Sequence, residues 1–493
     1  MWWREVGAPL RMQRVALVAP KVVLRDVLVR VADAGTVELD RSGAAGTAGV
    51  ASSEGMVRSG AARAVPGAGA DLSTTPRLSR VLPDLDGPDR EGRADLMAGE
   101  AELQGYASGA VVRGEVAALA GWVPVTEVGD LTGALADLGA SVVPIRTPRG
   151  VDPPTLLRGG EGVRRSLTPL VETYGTVPYA DVDPSVVAGL AYMLRFGMMF
   201  GDAGHGALLV IAGLLLRAGR PRRLARVRKV WPFVAGSGVV AIGFGLLYGE
   251  FFGPTGVVPV LWLAPLDEPV TLMAVALGLG AVLLSGAQVL GTVNRWREGG
   301  WPVALSSPSG IAGAALLAGL GLVVLGATAD LVRLSLVGAL VIAAGVGLAF
   351  VGFLATSGGG ATGVTQAFVE VFDALIRVGT NLVSFVRLAA FGLTHAAIGK
   401  IVWDGTTALW ESGGLLVVAA VVVFVVGNAV AFALEALVAG VQALRLEYYE
   451  LFSRVFTSQG RPFRPWHLPT DLGSGVEPTH DTTSSPSDPG RQS

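Results

Sequence analysis

The side chains best equipped for chemistry stand where the chain is most apolar. In "NLVSFVRLAAFGLTHAAIG", residues 381–399, Arg387 and His395 interrupt a run that a lipid-facing helix would fill with leucine. Steps of seven along this run join Asp373, Thr380, Arg387 and Thr394, with Ser384 assigned to the same polar lining. Each step drifts only ~20° on a 3.6-residue helix, so one narrow face is polar. The last apolar run repeats the pattern with Asn428, Glu435 and Gln442, and Arg445 follows one turn on. An ionised group at such depth costs at least ~2.5 to 3.5 kcal/mol on insertion scales, which makes function the first hypothesis for Arg387 and Glu435. A guanidinium keeps its proton, so Arg387 is a fixed positive charge suited to attracting a carboxylate or repelling a cation. Local explanations compete at other positions. Asp373 and Arg377 have the spacing of an i,i+4 ion pair, Arg445 lies close enough to the end of its run to snorkel, and Ser or Thr can bond backbone carbonyls.

Membrane-spanning helices have to position these residues. Of 493 residues, 51% are hydrophobic and only 16% charged, a balance that predicts a polytopic membrane protein. Residues 231–252, 270–293, 309–328 and 331–354 each suit a span of ~20 residues across ~30 Å of hydrocarbon. The runs 364–404 and 414–456 would each extend roughly 60 Å as straight helices and therefore tilt, kink or project. The first apolar run, 184–216, precedes "RAGRPRRLARVRK", residues 217–229, which holds seven basic residues and no acidic one. The positive-inside rule places that loop in the cytoplasm. With a cytoplasmic first domain, the run has to cross twice, and "GDAGHG", residues 201–206, is its only break. Two short helices hinged at Asp202, with His205 at the far surface, are the expectation. The fold class is therefore mainly α, with about eight transmembrane helices, the last two long and tilted, plus a small N-terminal α/β cytoplasmic domain and both termini cytoplasmic.

The N-terminal part reads as two βαβ-like units. Residues 13–40 give strand, helix, a stop at Gly35 and strand, and residues 110–145 repeat the order. Residues 41–100 lack Phe and Trp and Tyr and read as a flexible low-complexity linker, so the α/β domain comprises 1–40 and 101–182. The transmembrane domain spans 183–456, and 457–493 read as a largely disordered tail. The start of the chain has no signal-peptide pattern. With no cysteine, disulfides, thiolate metal sites and Cys nucleophiles are excluded. A net charge of −2 gives no case for nucleic-acid binding. No Gly-rich phosphate loop with Lys-Ser/Thr occurs, so nucleotide hydrolysis is not expected of this chain. No cofactor and no metal centre are expected.

Four motifs, "YGTVPYADVDPSVVAGLAYMLRFGMMFGDAGHGALL", "LLYGEFFG", "SFVRLAAFGLTHAAIGKIVW" and "LEALVAGVQALRLEYYELFSRVFTSQGRPFRPW", together resemble the membrane stator subunit of V/A-type (vacuolar/archaeal-type) rotary ATPases, the 116 kDa subunit a or subunit I family. The resemblance covers residues 184–466 and, more weakly, 12–40 and 110–180. It implies that Arg387 faces a proteolipid ring and that Arg445, Glu435, His395 and Asp373 line or tune two half-channels passing H⁺ or Na⁺. It implies ring, peripheral-stalk and rotor-collar partners, indirect contact with a catalytic head, and a multi-pass place in a prokaryotic plasma membrane. Glu447, Tyr448 and Glu450 read as marking a helix that emerges into water, and Glu250 as ending a span. Gly197, Gly201 and Gly204 read as packing and turn residues. The family's long cytoplasmic coiled coil has no counterpart between the two βαβ-like units. A secondary transporter or channel of another class, or a non-translocating scaffold of the same shape, are the alternatives.

Overall fold

In a computed structural model of the chain, residues 9–40, 75–80, 94–148, 151–157, 163–219, 228–307, 309–357, 360–455 and 460–471 are described. Most of the expected linker, most of the expected tail and residues 220–227 of the basic loop lie outside these. The chain divides into two compact units, one of residues 11–153 and 463–493, the other of residues 1–10 and 154–462.

The smaller unit is built on alternation. In β1 (Met12–Pro20) the residues Val15, Leu17 and Ala19 are buried while their neighbours are less so, the period of a half-buried strand. Helix α1 (Leu24–Ala34) turns Val27, Leu28 and Val31 onto that face and ends at Gly35, whose φ of 60° closes a left-handed cap. Strand β2 (Glu38–Leu39) follows. The two βαβ-like units do not stand side by side. Strand β5 (Val116–Pro124) inserts between β1 and β2, and β1 lies between β5 and β6 (Ser141–Pro144), all antiparallel neighbours, in the order β2-β5-β1-β6. The short β4 (Val111–Arg113) pairs with β5, and α3 (Val128–Leu135) packs beside α1. This interleaved arrangement is a split βαβ sheet.

Part of the expected linker and tail is ordered. Strand β3 (Leu78–Ser79) pairs in parallel with β7 (Thr470–Asp471), and α2 (Ala94–Ser108) begins inside the expected linker. Trp466 packs on Tyr106 with ring centroids 4.7 Å apart, and its indole N–H donates to Glu102 at 3.0 Å. One buried aromatic thus gives a polar, Gly-rich stretch an apolar anchor, which composition averaged over a window does not reveal.

The larger unit is helical: α4 (Val163–Tyr174), α5 (Ser185–Met199), α6 (Ala203–Arg217), α7 (Trp231–Tyr248), α8 (Pro269–Ser306), α9 (Ile311–Thr328), α10 (Val332–Thr356), α11 (Gly360–Val383), α12 (Val386–Glu411) and α13 (Leu416–Leu446). Among the described residues, six helical stretches are long and apolar enough to cross a membrane, α11 and α12 counting as one. The protein is polytopic and mainly α. Helices α5 and α6 are apolar but have 15 residues each, about 22 Å at 1.5 Å per residue, which is short for a full crossing. Between α11 and α12 the ladder tightens, with Phe385 N bonding Leu382 O at 3.1 Å and Leu388 N bonding Phe385 O at 2.9 Å. Such i→i+3 bonds wind the chain faster than an α-helix and turn the face beyond them. A π-helical turn, Glu447–Phe452, interrupts the end of α13 before α14 (Ser453–Val455). The core gathers Tyr192, Phe196, Phe200, Leu272, Phe385 and Leu446.

Candidate functional site

The "GDAGHG" and "LLYGEFFG" motifs form one staple. Asp202 caps α6, its Oδ1 accepting from His205 N at 2.8 Å. The same carboxylate accepts from Phe252 N at 3.0 Å and Gly253 N at 2.8 Å. These donors converge because the segment after α7 turns through left-handed backbone at Gly249, φ 74°, and Gly253, φ 90°. Ala203 N donates to Glu250 O at 2.9 Å and completes the lock. At Gly204 a Cβ would stand 2.5 Å from the Phe252 ring, so the close approach requires glycine.

The staple carries Glu250 to His395. The His395 Nε2 lies 3.7 Å from a Glu250 oxygen, and Nδ1 pairs with the Glu435 carboxylate. His395 and Glu250 are buried and the Glu435 side chain is 11% exposed. Phe200 packs on the imidazole at 5.3 Å, and the His205 ring stands 5.8 Å away. One imidazole between two carboxylates in an apolar shell is suited to relaying a proton. Glu250 does follow the end of α7, as expected, but the turn folds it back inside and leaves it 4% exposed. His205 is likewise buried rather than at a far surface, with 3% exposure. Asp202, His205 and His395 present ligand-type atoms within 4.8 Å of one another. Both Asp202 oxygens already serve backbone donors, so a cation there would have to displace the cap.

A second polar group lies on the other side of Arg387. The Asn381 amide, oriented to suit both neighbours, donates to Glu450 at 2.9 Å and accepts from an Arg454 nitrogen at 2.8 Å. A cavity of about 270 Å³ opens here, lined in part by Ser309, Arg377, Asn381 and Arg454. Arg387 lies in the tightened turn at the start of α12, its N–H donating to Ser384 O at 3.3 Å, and is partly buried within the electrostatic reach of Arg445 and Glu450. Arg445 itself is exposed.

The other expected lining residues divide. Asp373 pairs with Arg377 at 2.8 Å on an exposed surface, as their spacing allows. Thr380, Ser384 and Thr394 bond backbone carbonyls one turn back at 2.9, 3.1 and 2.9 Å, and Asn428 does the same at 2.9 Å. Gln442 leaves a buried oxygen with no hydrogen bond. Glu435 of the second stripe meets His395, the residue next to Thr394 of the first. Glu447 and Glu450 do not mark a helix entering water. They are 0% and 8% exposed, because the π turn tucks them inward and Glu447 pairs with Arg195. Sequence reading overlooked Arg195; the available signal was the single arginine inside the apolar run 184–216.

Comparison with known proteins shows what the chain is similar to. A model of the V-type ATPase 116kDa subunit family matches residues 110–254. The A-type ATP synthase subunit I of Aeropyrum pernix is 27% identical over 343 residues, covering 60% of this chain and 49% of that protein. The A-type ATP synthase subunit I of Pyrococcus horikoshii is 26% identical over 388 residues, covering 76% and 57%. The V-type ATP synthase subunit I 2 of Treponema pallidum is 34% identical over 162 residues, covering 31% and 35%. The chain spans about half the length of the first two relatives. By these matches the chain is similar to the V-type ATPase 116kDa subunit family over residues 110–254 and to subunit I of A-type and V-type ATP synthases over longer stretches.

Proposed function

We propose that this chain is the membrane stator subunit of a V/A-type rotary ATPase or ATP synthase, providing the half-channels by which H⁺ or Na⁺ reaches and leaves a ring of proteolipid subunits. Arg387 is the fixed charge past which the ring carboxylates turn. Its field lowers the pKa of an approaching carboxylate and releases the ion, and it repels ions that would leak straight through. The observation that carries this reading is the placing of two polar groups on opposite sides of Arg387 along α11 and α12. Asn381, with Glu450, Arg454 and the cavity, lies six residues before it, about 9 Å along the helix axis, and His395, with Glu435 and Glu250, eight residues after, about 12 Å. A single fixed charge between two offset wet regions is what an alternating path needs. Arg445, Asp373, Thr380, Ser384, Thr394, Asn428 and Gln442 line or tune the path. Peripheral stalks, a rotor collar and a catalytic head are the remaining partners, and the basic loop after α6 sets the cytoplasmic side.

The chain has no cysteine, which makes it its own background for thiol labelling. Single cysteines at Asn381 and Asn428 would be treated with a membrane-impermeant thiol reagent from either side of oriented vesicles. Position 381 is expected to label from the cytoplasmic side and 428 from the other, with Val418→Cys, on an exposed apolar face, labelling from neither. Labelling of 381 and 428 from the same side would defeat the two-channel arrangement.

A further inference from the structure

Two departures from regular helix in the larger unit, the tightened turn between α11 and α12 and the π turn after α13, are touched by one buried side chain. Arg195, on α5, is 0% exposed, as is its partner Glu447. Glu447 opens the π turn, two residues after Arg445 and three before Glu450. The Arg195 guanidinium also lies over the Phe385 ring, 5.6 Å from its centroid. Phe385 occupies the tightened turn between α11 and α12, two residues before Arg387, and is itself 0% exposed. On its other side it meets Gly280 of α8, where an added Cβ would overlap the ring.

We infer that Arg195 is a positioning residue for ion transfer: it clamps the Phe385 turn to the π turn at Glu447, and so fixes Arg387 against Arg445 and Glu450. The inference rests on the stator reading above. A buried ion pair is weak evidence of stability, because desolvating two charges offsets their attraction, and its better-attested use is to fix one arrangement among several. Here the arrangement fixed is the relative register of the two elements that carry the path's charges. A planar guanidinium suits the task, since it can pair with a carboxylate in its plane while its face rests on an aromatic ring. Helix irregularities of this kind recur at functional sites, and two of them sharing one clamp gives α5 a reason to hold a charge amid apolar residues. Arg195 touches no ion on this account and acts through Phe385 and Glu447.

The test uses vesicles containing the whole complex, with ATP hydrolysis and ion uptake measured together. The double variant R195M/E447M removes both charges at similar volume, so neither is left buried alone. It is expected to assemble and hydrolyse ATP while ions moved per ATP fall at least about ten-fold, the scale of effect a small misplacement produces. A charge-exchanged R195E/E447R variant is expected to restore part of the ratio. An unchanged ratio in R195M/E447M would overturn the clamp. Should that variant fail to assemble, R195K decides: it keeps the charge but loses the planar fork, and a parental ratio there would overturn the inference equally. Arg387→Ala run in parallel separates the two readings. Uptake surviving in Arg387→Ala defeats the stator role, whereas uptake lost there but parental in R195M/E447M defeats the clamp alone.

Discussion

Replacing Asp202 with alanine tests whether the staple between the two glycine-rich motifs supports the fold. The Asp202 carboxylate is fully buried and accepts three backbone N–H groups. Loss of the α6 cap costs about 1 kcal/mol. The Phe252 N–H, partly buried, adds roughly 1 kcal/mol when stranded, and the buried Gly253 N–H roughly 2 kcal/mol. The sum, about 4 kcal/mol, corresponds to a fall in Tm on the order of 10 °C for a unit of this size. The assay is thermal unfolding of the full chain purified in detergent, followed by tryptophan fluorescence. Asp202→Asn keeps one acceptor oxygen but turns an NH₂ toward converging donors, so its Tm should fall between those of parent and alanine variant. A Tm for Asp202→Ala within about 2 °C of the parent would refute the reasoning, because the cap alone is worth more than that.

Two further outcomes are expected. Glu435→Gln removes the charge paired with His395 at almost unchanged volume, and ATP-driven uptake should fall by about 10²-fold, the lower end of what a positioned proton-transfer group contributes; uptake equal to the parent would exclude Glu435 from the path. Asp181, in the segment before α5, has its pKa raised from the ordinary 3.8 to about 7, first by burial and then by the nearby Glu298 carboxylate. The folded chain therefore holds this proton more tightly than the unfolded chain, so the contribution to stability is full below about pH 4 and is lost as pH rises through 7. The parent's Tm should drop across that window more steeply than that of Asp181→Asn, and parallel profiles would count against the assignment.

Residue spacing made part of this protein legible. The apolar runs gave α7, α9 and α10 nearly to their ends, and α8 its start but not its extension past residue 293 to Ser306, because a lipid-spanning helix has to satisfy its backbone internally and so announces itself by length and hydropathy. The Gly35 stop and the helix start at Asp202 follow from local backbone chemistry and are equally visible. Partner choice is not local. Periodicity identified strands in both βαβ-like units but carried no sign that β5 would insert between β1 and β2. Heptad spacing placed Glu435 on a polar face and Thr394 beside His395 on another, yet gave no indication that Glu250 would join them, since that depends on a turn locked by Asp202 across 51 residues. Charge near the end of a hydrophobic run suggested water for Glu447, and only the packing of α5 against the π turn reveals Arg195 as its buried partner.

The central claim is that Arg387 is the fixed charge of an ion path, and ATP-driven ion uptake into vesicles containing the whole complex tests it most directly. Parent, Arg387→Ala and Arg333→Ala would be compared, Arg333 being an exposed arginine at the start of α10 that controls for assembly and loss of charge. Uptake abolished in Arg387→Ala, with the complex still assembled and Arg333→Ala at parental rate, is the expected result. Parental uptake in an assembled Arg387→Ala complex would contradict the stator role.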